Sequence, residues 1–178
     1  MISLDRHLER WVVHHRTGAF DHVFVWLSRI GTLGLVWIGI GLALALLRRR
    51  PGLVLLVLAA DGIADLLARA IKGVVDVERP PFRYAEPKAL VHVPRDHSFP
   101  SGHAATSFAC ATMLAFAFPR LAVPLYLFAA AIAYSRVYVG VHYPFDVVGG
   151  ALVGISVAIA LRWLAQGPRR SRRSPPPG

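Results

Sequence analysis

The sequence predicts an all-α, integral membrane helical bundle with about five transmembrane spans, or six, plus an N-terminal amphipathic helix. Three observations lead there. The 178 residues are 55% hydrophobic and only 17% charged. The apolar residues fall into runs long enough to cross a bilayer core of about 30 Å. The formal charge of +10 collects where those runs end rather than on a separate surface, which is the distribution membrane topology produces. That placement explains the charge better than nucleic-acid binding, and no nucleic-acid partner is expected. Cys110 is the single cysteine, so disulfides and thiolate metal sites are excluded as an organising principle.

Each element follows in order. Residues 1–16 are amphipathic at helical period, with Leu4, Leu8, Trp11, Val12 and His15 on one face and Asp5, Arg6, Glu9 and Arg10 on the other. Such a helix suits the membrane interface, or simple packing against the bundle, better than a crossing. Residues 1–19 carry Asp5 and Glu9 and no long apolar core, so no signal peptide is expected. A first span is predicted from Val23 to Leu47, with Ser28 and Arg29 at its interfacial start and Arg48-Arg49-Arg50-Pro51 closing it. A second runs from Leu53 to Val75. Asp61, Asp65 and Arg69 recur in it every four residues and make one polar stripe that Lys72 and Asp76 continue. Charges within a span face the bundle interior; here a structural Asp65–Arg69 pair is preferred over a direct catalytic role.

Residues 77–99 read as a polar, proline-punctuated loop. The third span, Ala104 to Phe118, is short, and Ala104, Ala105, Ala109 and Ala111 allow a close helix contact. A turn at Pro119-Arg120 leads to a fourth span ending near Val139. A fifth runs from Asp146 to about Trp163, with Gly149, Gly150 and Gly154 on a close-packing face. Residues 1–166 thus form the membrane-embedded domain, and 167–178 (GPRRSRRSPPPG) read as a disordered basic tail. The positive-inside rule puts Arg48–Arg50, Arg120 and the tail in the cytoplasm, and the 76–102 loop and the 140–145 turn outside.

Three segments lie at that outer face: KGVVDVERP (72–80), PSGH (100–103) and SRVYVGVHYPFD (135–146). Together they offer three cations, two histidines, a carboxylate and a helix start, an inventory that suits a phosphoryl group. Lys72, Arg79 and Arg136 can neutralise its oxygens, the arginines bidentately. Ser101 stands where an N-cap would, leaving the amides of Gly102 and His103 to donate, and Gly102 lets the backbone approach. His142 and Asp146, four apart, share a helical face; a carboxylate on one imidazole nitrogen frees the other to attack phosphorus. His103 can then protonate the leaving oxygen. The same histidines could suggest zinc, but three surrounding cations would repel a divalent ion.

The three segments match, intact and in order, Lys-x6-Arg-Pro, Pro-Ser-Gly-His and Ser-Arg-x5-His-x3-Asp. In this the chain resembles the type 2 phosphatidic acid phosphatase superfamily of membrane lipid phosphatases over about residues 20–165, and SRVYVGVHYPFDVVGG is especially similar to its bacterial undecaprenyl-diphosphatase branch. The resemblance implies a metal-independent, cofactor-free hydrolase acting on a lipid phosphate or diphosphate. A prenyl diphosphate such as undecaprenyl diphosphate is the expected substrate; phosphatidate, phosphatidylglycerol phosphate and prenyl-linked sugar phosphates remain alternatives. It further implies catalytic His142, His103 and Asp146, a phosphohistidine on His142, and phosphate binding by Lys72, Arg79, Ser101, Gly102 and Arg136. The location implied is the cell membrane, multi-pass, with an extracytoplasmic site. A phosphotransferase using the same intermediate, and a non-enzymatic lipid-binding or transport protein, are the competing function classes; oligomeric state is not readable. Six spans are common in the family, against five counted here.

Overall fold

A computed structural model describes residues 3–166. It is all-helical: α1 (Ser3–His14), α2 (Gly18–Ile30), α3 (Leu35–Leu47), α4 (Gly52–Lys72), α5 (Pro80–Arg83), α6 (Gly102–Ala117), α7 (Ala122–Tyr138) and α8 (Pro144–Gln166), with 3-10 turns at Thr32–Gly34 and Pro119–Leu121. The basic tail expected at 167–178 lies outside the described residues.

The axis of the bundle is α6. It is buried on nearly every face and packs most extensively on α8, then on α4 and α7. The expected small-residue contact accounts for the α6–α8 approach. A methyl group added at Gly154 would strike the Ala105 carbonyl oxygen and come within 2.8 Å of the Ala109 amide nitrogen; one at Gly150 would strike the Ser101 carbonyl oxygen. Backbone therefore lies against backbone. Around α6 the core is built from Trp37, Val57, Ala60, Ala64, Leu114, Ala129 and Ile132, and the Trp37 indole N–H donates to Ser107 Oγ at 3.0 Å.

The outer faces carry exposed Leu46, Leu55, Leu66, Val123, Leu127, Leu152 and Trp163, the pattern of a bundle whose solvent is lipid. Among the described residues, two stretches are long and apolar enough to cross by themselves: the 3-10 turn with α7 (Pro119–Tyr138) and α8. The first expected span differs from its prediction. Val23–Leu47 is not one rod but two helices meeting at 69°. The break sits at Gly31–Gly34, where Gly34 takes φ 64°, a left-handed conformation that disfavours side chains. A methyl there would also strike the Asp61 carboxylate. Apolar composition runs unchanged through the bend, so hydropathy alone could not reveal it.

Helix α1 presents its faces in an instructive order. Its polar face is buried, with Asp5 and Glu9 at 1% exposure, while Leu4, Leu8 and Trp11 point outward. Simple packing would have buried the leucines, so the outward apolar face favours the interfacial reading. Asp5 Oδ1 accepts the Phe145 amide at 2.9 Å, one of the orphan donors at the start of α8. Burial pushes the Glu9 carboxyl up to about 7.

Gly154→Ala should open the α6–α8 contact and cost about 1–3 kcal/mol, as overpacking of a close interface does. Gly39→Ala, where an added methyl meets nothing within 4 Å, should leave the unfolding midpoint in detergent unchanged or slightly raised. Equal midpoints for the two variants would contradict the packing argument.

Candidate active site

The end of the bundle at which α4 and α7 finish and α6 and α8 begin gathers the three motifs. Lys72 is the last residue of α4, Arg136 lies in the final turn of α7, and His142 occupies the turn before α8. A cavity of 210 Å³ is lined by Lys72, Arg79, Gly102, His103, Arg136 and His142, together with Asp65, Arg69 and Asp96. Six of the eight expected residues thus face one space. Asp146 and Ser101 stand directly behind it, buried at 1% and 0% exposure.

His142 is the centre of that arrangement. Its Nδ1 lies 3.2 Å from Asp146 Oδ2; an ionised carboxylate only accepts, so Nδ1 carries the proton and Nε2 is left with its lone pair. The same Oδ2 accepts the Tyr143 amide at 2.9 Å and the Ser98 hydroxyl. Asp146 is therefore locked by three donors, and its aim fixes the imidazole. Burial, followed by the charges of Arg79, Arg136 and Lys72, holds the His142 imidazole well below its ordinary pKa. Neutral imidazole with a free nitrogen is the form that can attack an electrophile.

Arg79 is the hub that ties two loops to this centre. Its Nε donates to the Asp96 carbonyl at 3.0 Å and its Nη2 to Asp96 Oδ1 at 2.7 Å. Its Nη1 reaches the Val141 carbonyl at 2.9 Å and His142 Nε2 at 3.0 Å. Lys72 Nζ donates to Asp96 Oδ2 at 2.9 Å and to the His97 carbonyl at 2.8 Å. Arg136 bonds Ser28 Oγ, and its Nε is buried with no partner. The Ser101 amide donates to the Asp146 carbonyl at 2.9 Å, which joins the start of α6 to the start of α8. Ser101 makes no side-chain cap bond to α6. Across the cavity, His103 Nε2 sits 3.1 Å from the Ser28 carbonyl. A carbonyl can only accept, so Nε2 bears a proton and Nδ1 is the nitrogen left for proton exchange.

Sequence reasoning missed Asp96, Ser98 and Ser28. Asp96 and Ser98 lie just before PSGH in RDHSFPSGH, where a polar run beside a motif was the available signal. Ser28, in the last turn of α2, is a polar interruption in an apolar run. Asp65 and Arg69 form the expected i, i+4 ion pair, and both also line the cavity. Among the described residues, no three His, Cys, Asp or Glu side chains converge as metal ligands would.

A family model of the PAP2 superfamily matches residues 52–170. The chain belongs to the PAP2 superfamily. The match runs from the start of α4 through α8 and takes in every cavity-lining residue named above. An undecaprenyl-diphosphatase of Sulfolobus acidocaldarius is 32% identical over 155 residues, 86% of this chain and 74% of that protein. The crystal structure of Aquifex aeolicus LpxE superposes with a TM-score of 0.80 at 29% identity, covering 91% of this chain and 96% of the other. A transmembrane PAP2-type phosphatidylglycerolphosphate phosphatase from Bacillus subtilis gives 0.74 at 26% identity, covering 96% and 88%. The all-helical membrane fold is shared with PAP2 lipid phosphatases throughout.

In a histidine-selective NMR titration, His142 should keep neutral-imidazole shifts at the pH, about 6.5, where an unperturbed imidazole is half protonated. The sign follows from its lowered pKa: acid must go well past the ordinary range before the ring is charged. Half-protonation at or above the ordinary value would contradict the burial and cation argument.

Proposed function

We propose that this chain is a membrane lipid phosphatase that cleaves a terminal phosphate through a phosphohistidine on His142. The observation carrying the proposal is the orientation of that imidazole: Nδ1 on Asp146, Nε2 toward a cavity ringed by Lys72, Arg79 and Arg136. Nε2 gives up its bond from Arg79 and forms the N–P bond. The P–O bond to the leaving group breaks, and the departing oxygen takes a proton from His103 Nδ1. His103 must first gain that proton from solvent when the phosphate dianion binds, so that the ring acts as the imidazolium with Nε2–H kept on the Ser28 carbonyl. Asp146 stabilises the imidazolium that results, while the three cations and the amides of Gly102 and His103 hold the equatorial oxygens. Ser101 contributes by placing those amides. Water then attacks phosphorus, His103 Nδ1 takes its proton, and orthophosphate leaves with the N–P bond cleaved. No step requires a metal.

A prenyl diphosphate such as undecaprenyl diphosphate is the preferred substrate, supported by the relative of that activity aligned over most of both chains. The phosphatidylglycerolphosphate phosphatase that shares the fold keeps phosphate monoesters as the second reading. Residues 1–166 form the phosphatase domain in the cell membrane, crossing about five times. Arg48, Arg50 and Arg120 line one cavity at the end of the bundle opposite the site, and by the positive-inside rule that end is cytoplasmic. The active site then faces outward.

Two measurements test this. His142→Ala should be inactive on both a lipid phosphate and an activated aryl phosphate. His103→Ala should lose about 10²–10⁴ in turnover on the lipid, as loss of general acid help does, and regain part of it on the aryl phosphate, whose leaving group needs no proton. Asp146→Asn should fall between them. Rescue of His142→Ala in place of His103→Ala would reverse the roles. For topology, a cysteine replacing Ala89 should react with a membrane-impermeant thiol reagent in intact cells, and one replacing Arg170 should not; the opposite pattern would turn the site inward.

A further inference from the structure

Asp96 holds both cations that Lys-x6-Arg-Pro supplies. One carboxylate oxygen sits 2.9 Å from Lys72 Nζ and the other 2.7 Å from Arg79 Nη2. Two oxygens of a phosphoryl group would approach those same cations, so the carboxylate competes with the phosphoryl group for their charge. The side chain is free to move: it is half-exposed, whereas Lys72 and Arg79 are buried. It also has somewhere to go. Asp96 lies on the wall between the 210 Å³ cavity and an outer cavity of 610 Å³ that Arg6, Arg83 and Arg95 line.

Given the lipid phosphatase reading above, on which this inference rests, we propose that Asp96 is a specificity-determining residue. Its carboxylate competes for Lys72 and Arg79 and screens the site against phosphodiester lipids. The reason is charge. A phosphodiester carries one negative charge, so exchanging it for Asp96 gains no Coulombic attraction. A terminal phosphate carries close to two, and the second charge meets Arg136, whose Nε has no protein partner. Phosphodiesters make up most of the surrounding lipid in a phospholipid membrane and would otherwise occupy an anion site by mass action. The two cations hold the Asp96 carboxyl down to about 2, so the competitor stays charged at any working pH.

The test uses the purified full chain in mixed micelles. Substrates are dioleoyl phosphatidate and farnesyl diphosphate, and the competitor is dioleoyl phosphatidylglycerol. Wild type should turn over a substrate with little inhibition by the phosphodiester. In Asp96→Asn the phosphodiester inhibition constant should fall by about tenfold, the factor that 1.4 kcal/mol represents, with a smaller fall in KM. Asp96→Glu, which keeps the charge, should retain wild-type selectivity. If Asp96 only positions Lys72 and Arg79, Asp96→Asn raises KM and leaves phosphodiester inhibition unchanged, which overturns the proposal. Phosphatidylglycerol binding to the three proteins by native mass spectrometry reads the same competition without turnover. A gain in Asp96→Asn alone supports the proposal, and equal binding overturns it. Lack of hydrolysis by wild type on either substrate would instead count against the phosphatase reading, so the two failures are separable.

Discussion

The approach of α6 to α8, backbone against backbone, is the constraint on which the rest of the site depends. Gly150 and Gly154 leave no side chain between the helices, so the Ser101 carbonyl lies against Gly150 and the Ser101 amide donates to the Asp146 carbonyl. That single contact brings the first amides of one helix beside the carboxylate that aims His142. Wider spacing would separate the first amides of α6 from His142. A buried interface of small residues is also what lipid solvent favours, because helices in a bilayer gain by packing closely rather than by hiding apolar area.

The site then faces an electrostatic problem, since Lys72, Arg79 and Arg136 converge where water is scarce. Three devices manage it. Backbone carbonyls of Asp96, His97 and Val141 accept from Lys72 and Arg79, which anchors the cations without neutralising them. The Asp96 carboxylate balances two of them. The His142 ring stays neutral, so no further positive charge is added. A buried charge left without partners is expensive, and these bonds tie the loop before α6 and the turn before α8 to the buried cations.

The N-terminal segment reaches the same centre by two routes. Helix α1 turns its polar face inward and uses Asp5 to satisfy an orphan amide at the start of α8, leaving its apolar face for the membrane. The end of α2 supplies Ser28, whose carbonyl orients His103 and whose hydroxyl meets Arg136. The bend at Gly31–Gly34 ends α2 there and turns α3 away toward the core. His103 is therefore positioned by a residue outside the motif that contains it, whereas His142 is aimed by Asp146 within its own motif.

Much of this was legible in the sequence. Helical membrane class, the short third span and the small-residue faces follow from periodicity and spacing, because those patterns are imposed locally by the helix repeat and by the lipid. The eight motif residues are legible from their chemistry and from the three motifs they share with the family. Lys72, Ser101, Arg136 and His142 could even be assigned to one end of the bundle, since alternating spans return the chain to it. The bend in the first span is not legible there, because Gly31 and Gly34 interrupt it without changing its hydropathy. Asp96, Ser98 and Ser28 were missed because no periodicity relates a loop or helix-end residue to a partner as many as 108 positions away. Which nitrogen of each histidine is committed, and which carboxylate holds the cations, was settled only by tertiary structure. Hydrogen bonds act over about 3 Å, and only folding brings those atoms within that distance.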